Sequence, residues 1–470
     1  MEVIMKCISS VYKLLWGDLF SIPLPGGGEL GISLLVLLLI PTGIYFTIRT
    51  RFLPIRLFPE MLRVTADKKT NESGDSISGV QALIVSTATR VGMGNLIGVV
   101  AAISAGGAGA VFWMWASALI GSATAFIEAT LSQIYKEEDP LYGGYRGGPA
   151  YYIHAFEERH LGGKRRRYTV VAVLFAVSAL ICWGGISQVI SNSVSSAFQN
   201  AFNIPPLYTT IVLVALSAII VLRKNASIKV LDVIVPIMAV CYFVMTIVLI
   251  LMNITLLPSV FERIFAEAFG VRQIAAGGFG AVIMNGVKRG LFSNEAGSGS
   301  APCAAAAGDT DHPAKTGLLQ ALGVFIDTLV ICSCTAFIML VTPEAQVAGL
   351  SGMDYLQASM NHHMGSFGVV FIAILLGVFC FSTFIGILFY ARSNVAYLFG
   401  DNWMSQTAYK IVALVMLFIG GLTAYTFVWD LGDVGVGLMT IFNIIVILPM
   451  GKEALDSLRD YEKKMLARKK

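Results

Sequence analysis

Eleven stretches of this chain carry almost no charge, and they limit what it can fold into more than any other feature. They run over 30–48, 77–104, 109–135, 168–200, 204–222, 231–252, 273–308, 314–342, 366–391, 407–424 and 430–450. Each approaches or exceeds the roughly 20 apolar residues that a helix needs to cross a bilayer. In hydrocarbon the backbone must hydrogen-bond within its own segment, so runs of this length read as helices. The expectation is an all-α polytopic membrane protein with about 11 transmembrane helices. The longer runs imply tilt, kinks or extension beyond the bilayer. Hydrophobic residues make up 56% of the 470 and charged residues 13%, where soluble proteins carry about 25% charged residues. Such a chain cannot cover a soluble surface. That excludes a soluble enzyme, a nucleic-acid binder and a disordered scaffold, and a net charge of +4 needs no nucleic acid to explain it.

Lys and Arg set the orientation. With the N-terminus outside, the inner segments are 49–76, 136–167, 223–230, 309–315, 392–410 and 451–470, and they hold 26 of the 33 Lys and Arg. The outer segments hold Lys6, Lys13, Arg263 and Arg272, while Arg90, Lys288 and Arg289 fall inside apolar runs. Basic residues collect on the cytoplasmic side of cell membranes. An outside N-terminus and a cytoplasmic C-terminus follow. Trp113, Trp115, Trp403 and Trp429 lie near run ends, as interfacial anchors do. The basic stretch 158–167 reads as an inner loop rather than a headgroup patch. The tail 451–470 reads as a solvated helical extension. No signal peptide is expected.

Cys182, Cys241, Cys303, Cys332, Cys334 and Cys380 sit in apolar runs and read as small buried hydrophobes rather than a disulfide framework. His154, His160, His312, His362 and His363 fall in expected loops, and no metal-binding spacing such as HExxH or CxxC occurs.

Two runs contain sequences that make poor lipid-facing helices. Ser86-Thr-Ala-Thr-Arg-Val-Gly-Met-Gly-Asn95 combines two glycines, small polar side chains and an arginine at membrane depth. Such a segment either packs inside a bundle or unwinds around a polar cavity. Unwinding frees N–H groups that attract a carboxylate and carbonyls that coordinate a cation. Ser293-Asn-Glu-Ala-Gly-Ser-Gly-Ser300 resembles it: Arg90–Asn95 and Glu295–Ser300 both read charge-small-Gly-x-Gly-polar. Five spans separate the two, and an odd number inverts the chain direction, the mark of an inverted repeat. The expected organisation is 1–76 as an outer segment, an extra helix and an inner linker. Residues 77–253 and 254–450 then form two repeats, five helices plus five, and 451–470 the tail. An alternative break in the second segment is Asn285-Gly286. Arg90 and Glu295 are each costly alone at this depth, so the two are expected to pair, with Lys288 or Arg289 as alternative partners of Glu295.

The chain resembles the alanine or glycine:cation symporters, within the amino acid–polyamine–organocation superfamily. Arg90-Val-Gly-Met-Gly-Asn95, Gly106-Gly-Ala-Gly-Ala-Val-Phe-Trp-Met-Trp115, Arg146-Gly-Gly-Pro-Ala-Tyr151, the stretch from Asn285 to Pro302, and Phe325-Ile-Asp-Thr-Leu-Val330 carry the likeness. It spans about residues 80 to 400. It implies a sodium-coupled importer of a small neutral amino acid with a LeuT-like fold, in which sodium is a co-transported ion and no enzymatic step occurs. By the same resemblance, amides near Met93 and Gly94 hold the substrate carboxylate. Thr89, Arg90, Trp183, Gln188, Asn192, Asn294, Gly297 and Ile387 complete the expected substrate site. The carbonyls of Ala88, Val91 and Phe379 and the hydroxyls of Ser382 and Thr383 would hold sodium, the last three sharing one helix face at i, i+3, i+4. The bland alternative is that Ser382 and Thr383 bond back to their own helix. The resemblance implies alanine or glycine as the first substrate expectation; relatives often have Gln where Ile190 stands and some have Trp where Ile387 stands, which keeps glutamine, serine or another small neutral amino acid as the alternative.

Among the other intramembrane charges, Glu128 can brace the broken helices by accepting free N–H groups, or carry a proton. Asp327 can pair structurally or take part in coupling. Asp232, Asp430 and Asp433 lie near run ends and are expected to be solvated. Trp183 packs in the core or caps a pocket. A proton-coupled transporter using Glu128, Glu295 or Asp327 is the first competing function. A sensor would need an output domain, an enzyme a nucleophile or metal cluster, and a pump a phosphate-binding loop, and none of these is evident in the sequence.

Overall fold

The computed structural model describes residues 2–24, 28–67, 77–160, 162, 166–223, 226–269, 279–423 and 425–468. Among these, eight helices are long and apolar enough to cross a membrane: Gly79–Gly106, Gly109–Ile134, Val170–Phe202, Val233–Met252, Pro313–Leu340, Gly352–Phe399, Trp403–Gly420 and Val428–Met465. Leu34–Arg49 and Pro206–Val221 are shorter apolar helices. The run 273–308 holds two helical pieces, Phe279–Asn294 and Pro302–Ala307. The protein is therefore an all-helical polytopic membrane protein, with helices in each of the eleven apolar runs. Strands are confined to short pairs, chiefly the antiparallel hairpin Asp18–Leu24 and Gly28–Ser33.

Burial follows the pattern of polar side chains. Gly79–Gly106 is almost wholly enclosed, whereas Val233–Met252 and Trp403–Gly420 expose rows of Val, Ile, Leu and Phe. Water cannot satisfy a bare backbone in hydrocarbon, so the segment richest in Gly, Ser and Thr lies in the middle and the purely apolar ones face lipid.

The N-terminal part holds more structure than a plain outer segment. An amphipathic helix, Glu2–Trp16, packs against the last long helix, Tyr425–Arg468. That last helix carries the charged tail without interruption, apart from the ring of Pro449. The linker positions 68–76 and Arg272 lie outside the described residues, as does the side chain of Asp232. The helix Phe279–Asn294 runs through Asn285-Gly286 unbroken, so the second interruption falls at 295–301 instead. Glu295 turns the chain there with φ +59°, a left-handed conformation for a non-glycine residue.

Candidate functional site

The first interruption lies inside Gly79–Gly106. This helix opens with a capping box: Ser78 Oγ accepts from Gln81 N at 3.0 Å and Gln81 Oε1 from Ser78 N at 2.9 Å. Helical geometry fails at Val91 (φ −76°, ψ 75°) and Gly92 (φ −155°, ψ −134°). The two glycines are required by close approach. A Cβ on Gly92 would collide with Thr383 Oγ1, and one on Gly94 would sit 2.9 Å from Ser293 Cα. The Gly-x-Gly spacing thus seats the first break between two other helices. Inside it, Gly92 N donates to Asn95 Oδ1 at 2.9 Å and Met93 N to Thr383 Oγ1 at 3.2 Å.

Beside this break, oxygens from two helices converge. Ser382 Oγ lies 3.5 Å from Ala88 O and 2.8 Å from Phe379 O. Thr383 Oγ1 lies 3.4 Å from Ala88 O and 2.9 Å from Phe379 O. Both side chains are buried. Each hydroxyl bonds back to the carbonyl of Phe379 and also reaches across to the first broken helix. The set of two carbonyls and two hydroxyls is uncharged and all oxygen, a donor type suited to a hard cation.

The second interruption is held by a carboxylate. Glu128, buried in Gly109–Ile134, accepts from Gly297 N and Gly299 N at 3.0 Å each and also from Asn443 Nδ2. Asn443 donates to Gly297 O as well, at 3.0 Å, and accepts from the Tyr152 hydroxyl at 2.5 Å. Gly297 (φ +97°) and Gly299 (φ +82°) adopt left-handed conformations that favour glycine. The freed N–H groups of the break therefore meet carboxyl oxygens, as backbone groups in a membrane require acceptors.

Two polar links join the breaks. Asp327 accepts from Asn95 Nδ2 at 2.7 Å, Ser293 Oγ at 3.0 Å and Thr328 Oγ1 at 2.7 Å. The Tyr390 hydroxyl contacts Thr89 Oγ1 at 2.5 Å and Glu295 Oε2 at 3.1 Å. Arg90 and Glu295 do not pair. Arg90 Nη1 donates to Gln320 O at 3.2 Å and Gln320 Oε1 at 3.0 Å, so it faces Pro313–Leu340 while Glu295 faces Gly352–Phe399. Lys288 and Arg289 are not partners of Glu295 either. Both bind Asp433, at 3.4 Å and 2.9 Å, and Asp433 is buried rather than solvated.

The remaining expected substrate residues divide. Trp183 packs against Tyr390 with ring centroids 5.9 Å apart and planes tilted by 54°, and Ile387 is buried one turn before Tyr390. Asn294 donates to Thr328 Oγ1 at 3.3 Å and accepts from Ala296 N at 3.0 Å. Gly297 faces Glu128 and the side chain of Leu39. Gln188 and Asn192 turn away from both breaks: Gln188 donates to Met416 Sδ at 3.1 Å and Asn192 to Thr423 O at 2.8 Å. Helical spacing accounts for this, since Ile190, seven residues after Trp183, shares its face. Sequence reasoning missed Gln320, Tyr390 and Asn443. An amide or phenol in an otherwise apolar run was the available signal.

Comparison with known proteins gives the family of the chain. Residues 28–470 match the model of the Sodium:alanine symporter family. A probable sodium/glutamine symporter of Bacillus subtilis is 43% identical over 439 residues, covering 93% of this chain and 89% of that protein. A sodium/alanine symporter of Methanococcus maripaludis is 36% identical over 420 residues, covering 88% and 91%. Among solved structures, a manganese transporter of Eremococcus coleocola aligns at 14% identity with a TM-score of 0.47, over 83% of this chain and 81% of that one. That likeness is too slight to argue from. The match over nearly the whole length places the chain in the sodium:alanine symporter family, a family of transporters and not of enzymes.

Proposed function

We propose that the protein imports a small neutral amino acid by sodium symport, with alanine or glycine as the first candidates. The observation that carries this reading is the cluster of Ala88 O, Phe379 O, Ser382 Oγ and Thr383 Oγ1 beside the unwound Val91–Gly92. Sodium binds these oxygens together with the carbonyl of Val91. The substrate carboxylate sits on the amides of Met93 and Gly94, next to the ion. Thr89, Trp183 and Ile387, grouped around Tyr390, wall the side-chain end. Each ligand then binds better when the other is present, which is all that coupling requires. Residues 77–253 and 254–450 act as two inverted five-helix repeats of a LeuT-like fold. They rock to expose the site to either face, with the N-terminus outside and the C-terminus cytoplasmic. Glu128 braces the second break. Asp327 ties the two breaks together and transmits the state of one to the other.

Glutamine is the second substrate reading. It is favoured by the 43% identity to a protein named as a probable sodium/glutamine symporter. Reconstituted protein in liposomes, given labelled alanine at fixed pH and membrane potential, is expected to accumulate it only under an inward sodium gradient. Preferential competition by glutamine would transfer the substrate assignment. Accumulation driven by a pH gradient without sodium would overturn the cation site and move coupling to the buried carboxylates.

A further inference from the structure

On the lipid-facing side of the bundle, a groove of about 710 Å³ runs between Val170–Phe202 and Trp403–Gly420. Two missing side chains make its floor. A Cβ on Gly185 would meet the backbone of Gly432, and one on Gly184 would meet only Met416 Cγ, at 3.8 Å. Along Trp403–Gly420 the groove extends from Met404 to Met416, about 18 Å of helix at 1.5 Å per residue. That is on the order of half the roughly 30 Å hydrocarbon core, the depth of one leaflet. The polar side chains in its walls are spent on the protein's own backbone: Tyr409 donates to Leu180 O at 3.0 Å, Asn402 to Phe399 O at 3.1 Å and Ser405 to Asn402 O at 3.1 Å. A polar solute would lose its hydration there without a partner, whereas a hydrocarbon chain needs none.

One end of the groove is positively charged. Leu398 and Phe399 line this end, and the Tyr168 hydroxyl donates to Leu398 O at 3.1 Å. The Arg167 guanidinium lies 5.2 Å from the centre of the Tyr168 ring. On Val170–Phe202, the exposed side chains of Ile181, Val177, Leu174 and Val170 form one stripe that leads from the groove to Arg166 and Arg167. Both arginines are exposed, and neither forms an ion pair among the described residues. The carboxylates at this end are engaged elsewhere. Glu157 accepts from Val171 N and Ala172 N, Glu158 accepts from Arg166 N and pairs with His154, and Asp401 pairs with Arg146. Tyr168 and Trp403, both partly exposed, stand at the same end, at the level that interfacial aromatic residues take.

We infer that this groove binds an anionic phospholipid from the leaflet on the side of the basic loops. One acyl chain lies along Gly184-Gly185, and the headgroup phosphate meets Arg166 and Arg167. A phosphatidylcholine fits the apolar part equally well, but its choline group cancels the charge that the two guanidinium groups attract. The inference uses neither the transported substrate nor the coupling ion, so it stands or falls apart from the proposed function.

Purified full-length protein in a neutral detergent is titrated with phosphatidylglycerol and, separately, phosphatidylcholine of the same chains, and bound lipid is counted by native mass spectrometry. The wild type is expected to bind phosphatidylglycerol at least about 10-fold more tightly, given the contribution of each basic residue near an anionic headgroup. The double variant Arg166→Gln and Arg167→Gln should bring the two lipids to about equal affinity without weakening phosphatidylcholine. Ala408→Trp, at an exposed position of the groove wall, should weaken both. A photoactivatable group on the phosphatidylglycerol chain should label residues within 177–184 and 404–416 of the wild type. Equal affinities in the wild type, or a preference that survives the double arginine variant, overturn the headgroup assignment. Unchanged binding in Ala408→Trp overturns the groove. Label confined to other helices does so as well, even if Ala408→Trp fails to fold.

Discussion

Thr383 shows how one hydroxyl can hold a ligand site together. Its oxygen accepts from Met93 N and lies within 2.9 Å of Phe379 O, so it belongs at once to the proposed carboxylate cradle and to the cation cluster. Thr383→Ala is expected to raise the sodium concentration for half-maximal uptake by about 10- to 100-fold, since a hydrogen bond or ligand to a charge is worth about 1.5–3 kcal/mol. Thr383→Ser should restore it. An unchanged sodium dependence would remove this hydroxyl from the site. Lys136 offers a test outside the membrane-spanning segments. It lies just past Gly109–Ile134, and its ammonium donates to Gln133 Oε1 at 2.9 Å and Gly308 O at 3.0 Å. Burial pushes its pKa down to about 8, from an ordinary 10.5. Between those two values the unfolded chain binds more protons than the folded one, so this group's contribution to stability rises with pH. The thermal midpoint of the wild type should gain on that of Lys136→Met from about pH 8 to 10. A difference that stays flat would mean that the ammonium keeps its ordinary affinity for protons.

At the scale of elements, the breaks themselves were legible in the sequence, and their supports only partly so. Gly-x-Gly with flanking polar residues in an apolar run marks a segment that either packs closely inside the bundle or unwinds. The acceptor Glu128 was also visible, as a carboxylate isolated in a long apolar helix. Side-chain direction was not visible. Arg90 and Glu295 occupy matching positions in the two six-residue motifs, yet each follows the twist of its own segment toward a different neighbour. The mismatch at Gln188 and Asn192 has the same origin: a two-residue offset on a helix rotates a side chain by more than half a turn. The brace makes a sharp prediction. Glu128→Leu strands the N–H groups of Gly297 and Gly299 and the Asn443 amide, at about 1–3 kcal/mol for each unsatisfied group. It should lower the thermal midpoint and abolish uptake. Glu128→Gln keeps one acceptor and should retain most of both. If Glu128→Gln folds normally but no longer transports, the charge itself takes part in coupling.

Across the whole molecule, orientation and long-range pairing pull apart in how well a sequence carries them. Orientation is a sum over many residues, so the skewed count of Lys and Arg survives any single misplacement. Cys7 is exposed on the N-terminal helix, and a membrane-impermeant maleimide added to intact cells should label it. Label that appears only after permeabilisation would invert the topology. Long-range pairing depends on single contacts between distant parts of the chain. Asp433 looked like an end-of-helix residue in water. Instead it accepts from Nη1 and Nη2 of Arg289, at 3.1 Å and 2.9 Å, and lies 3.4 Å from Lys288 Nζ. Lys288 in turn donates to the Tyr12 hydroxyl at 2.7 Å, and Trp16 Nε1 donates to Asp433 O at 3.0 Å. One carboxylate thus fastens the N-terminal helix, the first piece of the second broken helix and the last long helix to one another. Two buried cations depend on it, and removing the partner of a buried charge costs about 3–5 kcal/mol. Asp433→Ala should therefore destabilise the protein more than any substitution among the exposed tail charges. Replacing both cations as well, with Lys288→Met and Arg289→Met, should recover much of the loss, because the penalty lies in the unpaired charges rather than in the missing carboxylate. A triple variant as unstable as Asp433→Ala would show that the carboxylate acts through its place in the packing of the three helices, not through charge.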